Sequence, residues 1–91
     1  MYRVRDTVRA TRNRDGGVVL DIHSGKMFRL NPVGALILES VVEGRSEGET
    51  AFSVAHQYDI GEETALADVR DFLQSLEKLQ LVTAHDRTDR L

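Results

Sequence analysis

The sequence contains no cysteine and no tryptophan, one proline, two tyrosines and three phenylalanines. Without cysteine there is no disulfide framework, no thiol nucleophile and no thiolate metal site, and the composition fits the cytoplasm. No stretch approaches the ~20 apolar residues of a membrane span, so none is expected. The opening Met1-Tyr2-Arg3-Val4-Arg5-Asp6 lacks the apolar core of a secretory signal. At 91 residues the chain reads as one small domain. A domain of this size buries only roughly 60–65 % of its unfolded surface, so the core is thin.

Recognisable catalytic chemistry is also missing. His23, His56 and His85 fall in a turn, a helix and the tail, without metal-ligand spacing. Asp68 and Asp71 stand one turn apart on a charged helix, which reads as a wet face before it reads as an acid–base pair. Ser24 and Ser46 have simple roles in a turn and a helix cap, and Gly16-Gly17 lacks phosphate-loop spacing. A non-enzyme with neither metal nor cofactor is expected.

What is present centres on Gly17–Pro32. Gly17-Val18-Val19-Leu20-Asp21-Ile22 and Lys26-Met27-Phe28-Arg29-Leu30 flank the polar turn His23-Ser24-Gly25. This is a β-hairpin pattern. A three-residue loop places Leu20 opposite Phe28 and Val18 opposite Leu30, which gathers four apolar residues on one face. Gly25 suits the left-handed position of such a loop. Asn31 then serves as N-cap and Pro32 as first residue of a helix.

Upstream, Arg3, Arg5 and Arg9 alternate with Val4, Val8 and Ala10, which predicts a strand and completes a three-stranded antiparallel meander. Downstream, Val33, Ile37 and Val41 mark a first helix to Glu43. Ser46 and Glu49 form a capping-box pattern for a second, with Ala51, Phe52, Ala55 and Tyr58 inward. Leu66, Val69, Leu73 and Leu76 mark a third helix from Glu62 to about Leu79, flanked by Phe72 and Leu79. Leu81-Val82 returns to the core. Residues 1–82 form the domain and 83–91 a polar tail. The fold class is α+β: an N-terminal three-stranded antiparallel sheet and three helices in a winged helix-turn-helix-like arrangement.

Charge separates two functional readings. Residues 1–30 carry seven Lys/Arg against three Asp, whereas residues 31–91 carry five Lys/Arg against twelve Asp/Glu. In a DNA-binding winged helix the third helix meets phosphates, and here it opens with Glu62 and Glu63 and continues with Asp68 and Asp71. Nucleic acid is therefore not the expected partner. A small DNA-binding regulator driven by Arg3, Arg5, Arg9, Arg12 and Arg14 is the alternative, and self-pairing through an open edge is a third. The favoured surface is the edge of the strand Lys26–Leu30, to which an extended peptide can add as a strand. Its groove has Phe28 and Leu30 as floor, Val69, Phe72 and Leu76 as wall, and Lys26, Arg29, Asp68 and Asp71 as candidate rim.

The ordered set of Val19-Leu20-Asp21, Ser24 to Ala35, Gly44-Arg45-Ser46, Tyr58-Asp59-Ile60, Asp68 to Leu73 and Leu76 to Val82 resembles the PqqD-like family. Gln80 departs from it, standing where the family usually has Gly. The resemblance implies a recognition domain for ribosomally made, post-translationally modified peptides, a RiPP recognition element, which binds the leader of a precursor peptide as an added strand. Carried over, it assigns peptide binding to Lys26, Met27, Phe28, Arg29, Leu30, Asp68, Val69, Asp71, Phe72, Ser75 and Leu76. The pattern is most similar to small stand-alone members of lasso-peptide pathways, which present the leader to a separate cysteine peptidase. A PQQ-pathway member, a peptide chaperone serving a radical enzyme, is the neighbouring alternative.

Overall fold

The computed structural model describes residues 2–84 of the chain. Strands β1 (Tyr2–Val4), β2 (Val8–Asn13), β3 (Gly16–Asp21) and β4 (Lys26–Leu30) precede helices α1 (Pro32–Val42), α2 (Glu47–Tyr58) and α3 (Glu62–Lys78), and β5 (Val82–Ala84) follows. The expected α+β order of strands and then three helices is present. The β2, β3 and β4 strands form a three-stranded antiparallel sheet in that order, and β1 pairs separately with β5.

That second pair corrects the continuous N-terminal strand. The chain turns at Arg5–Thr7, where the Val8 N–H donates to the Arg5 carbonyl at 3.0 Å. Asp6 sits in this turn, at the position that broke the apolar alternation. The Arg5 N–H donates to the Leu81 carbonyl at 3.2 Å and extends the β1–β5 pairing. β5 includes Thr83 and Ala84 from the stretch read as tail, while residues 85–91 lie outside the described residues.

The hairpin loop is four residues long, not three. Asp21 pairs with Lys26, Val19 with Phe28 and Gly17 with Leu30. Asp21 sets this length. Its carboxylate accepts the His23 N–H at 3.0 Å and the Ser24 hydroxyl at 3.0 Å, and its carbonyl accepts the Gly25 N–H at 2.7 Å. Gly25 takes the left-handed φ of 77° that closes the loop. The four-residue apolar patch is consequently split: Val19, Phe28 and Leu30 face the helices, and Val18 and Leu20 face away.

The helices begin where their caps dictate. The Asn31 side chain accepts the Gly34 N–H at 2.7 Å. Ser46 and Glu49 complete both hydrogen bonds of a capping box. Val19, Ile37, Leu38, Val54, Val69, Leu73, Leu81 and Val82 form the centre of the core. In α2 the inward face is Thr50, Ala51, Val54 and Ala55, while Phe52 and Tyr58 are exposed, contrary to expectation. Phe52 instead stacks on His56 at 5.9 Å between ring centroids.

Candidate functional site

The main-chain hydrogen bonds of the sheet determine which edge can accept another strand. The Ile22 N–H donates to the Thr7 carbonyl at 2.8 Å. In an antiparallel ladder the bonded positions alternate, so Val18 and Leu20 direct their main chains to β2, and Gly17, Val19 and Asp21 direct theirs to β4. Lys26, Phe28 and Leu30 answer from β4. The N–H and C=O groups of Met27 and Arg29 therefore point away from the sheet. The chain's own N-terminus pairs with β5, so these groups face an open edge among the described residues.

Side chains alternate accordingly. Phe28 and Leu30 are half-buried toward the helices, as β4 packs on β3 and α1. Met27, 66 % exposed, and Arg29 project from the opposite face. Helix α3 packs on α2 and β5, and its neighbours at two points, Gly34 for Phe72 and Lys26 for Lys78–Gln80, set it antiparallel to β4. At one end Phe72 lies over Gly34, where an added Cβ would stand 2.9 Å from the ring. At the other end Lys78, Leu79 and Gln80 meet Asp21, Ser24, Lys26 and Phe28 around a cleft of about 230 Å³. That is below the roughly 300–1,000 Å³ of small-molecule sites and suits side chains of an extended segment.

The sequence-predicted residues divide into three groups. Lys26, Met27, Phe28, Arg29 and Leu30 make up the open strand and its two faces. Asp68, Phe72 and Ser75 follow one stripe of α3, with Asp71 beside them, and all but the half-buried Phe72 are exposed. The Ser75 hydroxyl donates to the Asp71 carbonyl at 3.1 Å, leaving its oxygen free to accept. Val69 and Leu76 are 0 % and 3 % exposed: they are core beneath the stripe, not groove wall. Sequence reasoning missed Leu79, which is 49 % exposed and lines the cleft with Lys78. Its spacing of seven from Phe72 was the available signal.

Electrostatically the groove is polar along its length. Lys26 and Lys78 stand at one end, and Asp68 and Asp71 lie toward the other. Asp21, at the cationic end, is partly desolvated, which opposes ionisation. Hydrogen bonds from the Ser24 hydroxyl, the His23 N–H and Thr7 outweigh that cost and hold its carboxyl below the usual range.

The other edge of the sheet, β2, differs in chemistry. The ladder turns the main chains of Ala10 and Arg12 outward there. Arg12 is tied to Glu39 on α1 at 2.6 Å, and Arg14 follows at the strand end. Cationic side chains of this kind blunt an edge. Among the described residues no helix is long and apolar enough to cross a membrane. Nor do any three His, Asp or Glu among them gather to hold a metal ion.

Two solved structures share this architecture. One is TbiB1 in complex with the TbiA(beta) leader peptide, 27 % identical, with a TM-score of 0.84 over 92 % of this chain and 98 % of that one. The other is a lasso peptide synthetase B1 complexed with the leader peptide, 25 % identical, with a TM-score of 0.82 over 91 % and 98 %. No curated protein sequence matches. The model of the family described as coenzyme PQQ synthesis protein D matches residues 16–82, the span that carries the hairpin, the helices and the groove, and the chain belongs to this PqqD family.

Proposed function

We propose that this chain is a non-catalytic adaptor that binds the leader segment of a ribosomally made precursor peptide and delivers it to a separate cysteine peptidase in lasso-peptide maturation. The observation that carries the proposal is the open β4 edge, with Met27 and Arg29 donors unanswered among the described residues, beside the half-buried Phe28, Leu30 and Phe72. The two structural neighbours, both complexed with leader peptides, support the same reading. A leader pairing with Met27 and Arg29 places alternate side chains in the groove between β4 and α3. Phe28, Leu30, Phe72 and Leu79 contact its apolar residues there, and Asp68, Asp71, Ser75, Lys26 and Lys78 fix its polar ones. Val69 and Leu76 act by holding the α3 stripe in place.

On this reading α2, α3 and the β3–β4 hairpin form a winged-helix-like scaffold turned to peptide capture. Glu62, Glu63, Asp68 and Asp71 on α3 oppose the phosphates that a DNA-binding version would have to meet. Calorimetric titration with the synthetic leader of the same pathway tests the proposal. Saturable binding at micromolar concentration is expected, and its absence rejects leader capture. Leader cleavage by the pathway's peptidase, measured with and without this chain, tests delivery: the rate rises on addition if the adaptor role is right.

A further inference from the structure

The edge of the sheet at β2 is part closed and part free. The ladder turns the main chains of Val8, Ala10 and Arg12 outward there. Val8 is answered within the chain: its N–H donates to the Arg5 carbonyl at 3.0 Å, and its carbonyl accepts Arg9 Nη1 at 3.1 Å. The main chains of Ala10 and Arg12 meet no hydrogen-bond partner at this edge among the described residues. Ala10 shares its face of the sheet with the fully buried Val19, yet is itself exposed. Beside it lies a hollow of about 210 Å³, with Leu30, Ala35, Leu38 and Val42 as apolar lining and the Arg12–Glu39 ion pair at its border. A second hollow, of about 590 Å³, adjoins the first at Ala10 and Val42 and runs past Val41 to Arg3, Arg5 and Arg9. Val42 is 60 % exposed between them. Asp6 and Glu39 are the carboxylates of this furrow, against Arg3, Arg5, Arg9 and Arg12. Arg3, Arg5 and Arg9 join no ion pair among the described residues.

We infer that the β2 edge is a second strand-accepting site, which takes an extended acidic segment of a partner protein. The segment pairs its main chain with Ala10 and Arg12. Its residue opposite Ala10 then shares the inner face of the sheet and enters the hollow beside Val42. The next residue, opposite Arg9, lies on the outer face, where a carboxylate answers that guanidinium. Beyond it the segment reaches Arg3 and Arg5. The site therefore suits small apolar side chains alternating with acidic ones. Charge selects this occupant. A second copy would offer β2 itself or β4, whose Lys26 and Arg29 are cationic too, so the arginines blunt the edge against copies and leave it open to acid. Nucleic acid fits less well. Phosphates can meet the two free N–H groups, but they leave the carbonyls of Ala10 and Arg12 unanswered and face the apolar lining, Asp6 and Glu39. Strand β3 separates this edge from β4, so both edges can be occupied together.

The test uses a fluorescein-labelled octapeptide of alternating Asp and Val, followed by anisotropy. Its controls are the same peptide with Lys for Asp and a labelled DNA duplex. Ala10→Pro removes an outward donor and no ladder bond, and Val42→Asp places an acid at an exposed position beside the hollow. Thermal melts confirm that each variant folds. We expect saturable binding of the acidic peptide and at least about tenfold weaker binding of the lysine peptide. Ala10→Pro and Val42→Asp should each weaken the acidic peptide about tenfold, whereas Met27→Pro, at the other edge, should bind it as the wild type does. No saturation by millimolar peptide, or unchanged binding by both Ala10→Pro and Val42→Asp, overturns the inference. So does loss of binding in Met27→Pro, which would put the peptide on β4. Tighter binding of the duplex than of the acidic peptide reassigns the furrow to nucleic acid, and a wild-type dimer in sedimentation that Ala10→Pro abolishes reassigns it to a second copy.

Discussion

Single positions carry the constraints that composition hides. Gln80 adopts a left-handed φ of 63° just after α3, a conformation that suits Gly. A side chain there costs roughly 1–2 kcal/mol, partly offset because Gly is freer in the unfolded chain by about 0.5–1 kcal/mol. Gln80→Gly should stabilise the fold by about 0.5–1 kcal/mol and raise Tm by a few degrees, measured by thermal melting. Gly16 is the reverse case. Its φ is 136°, and an added Cβ would lie 2.0 Å from the Leu30 carbonyl oxygen. Gly16→Ala should destabilise by at least about 2 kcal/mol in chemical denaturation, because main chain has to move. Asp21 makes a pH-dependent contribution. Its folded pKa is lowered, so its stabilisation is present above the ordinary value of 3.8 and lost as pH falls through the folded value. The stability gap between wild type and Asp21→Ala should therefore be full at neutral pH and close in acid below 3.8, followed by denaturation across pH.

At the scale of elements, the helices were legible and the hairpin register was not. Asn31-Pro32 and Ser46–Glu49 are local signals whose hydrogen bonds form within four residues, and both helix starts followed from them. The hairpin offered two registers because Val18, Val19 and Leu20 are all apolar, so hydrophobic pattern alone could not say which face is core. Asp21 decided it through side-chain bonds that alternation does not encode. Phe52 and Leu79 misled for a related reason: apolar type implies burial, yet one stacks on a histidine and the other lines an open cleft. The observed register gives β4 a sharp test. Met27 directs its N–H outward and Phe28 directs its N–H to β3, so proline has opposite consequences at adjacent residues. Met27→Pro should remain folded and lose leader binding. Phe28→Pro removes a ladder donor and should lower stability more than Met27→Pro does. Denaturation and leader anisotropy on both variants distinguish the two effects. Equal loss of stability would reject the assigned ladder phase.

For the whole molecule, sequence distance limited what could be foreseen. β1 and β5 pair Tyr2 with Ala84, and three-residue strands at the two ends of the chain carry no local sign of one another. The charge division was plain from the start, and the structure gives it geometry. The basic half forms the three-stranded sheet and the acidic half supplies α3. The proposed binding at the β4 edge would add a strand to the folded protein and has no counterpart in the unfolded chain, so it would raise stability by mass action. Free leader at 100 times its Kd should add about 2.7 kcal/mol. For a domain of this size that shifts Tm upward by on the order of 10 °C. Strand addition rests on main-chain hydrogen bonds and apolar contact, so most of the shift should survive added salt, and Met27→Pro should abolish it. Duplex DNA held by the arginines of the sheet would behave differently: its shift would collapse with salt and ignore Met27→Pro. A thermal-shift series with leader and duplex, at low and high salt, on wild type and Met27→Pro, therefore decides between the β4 edge and the basic surface as the working face.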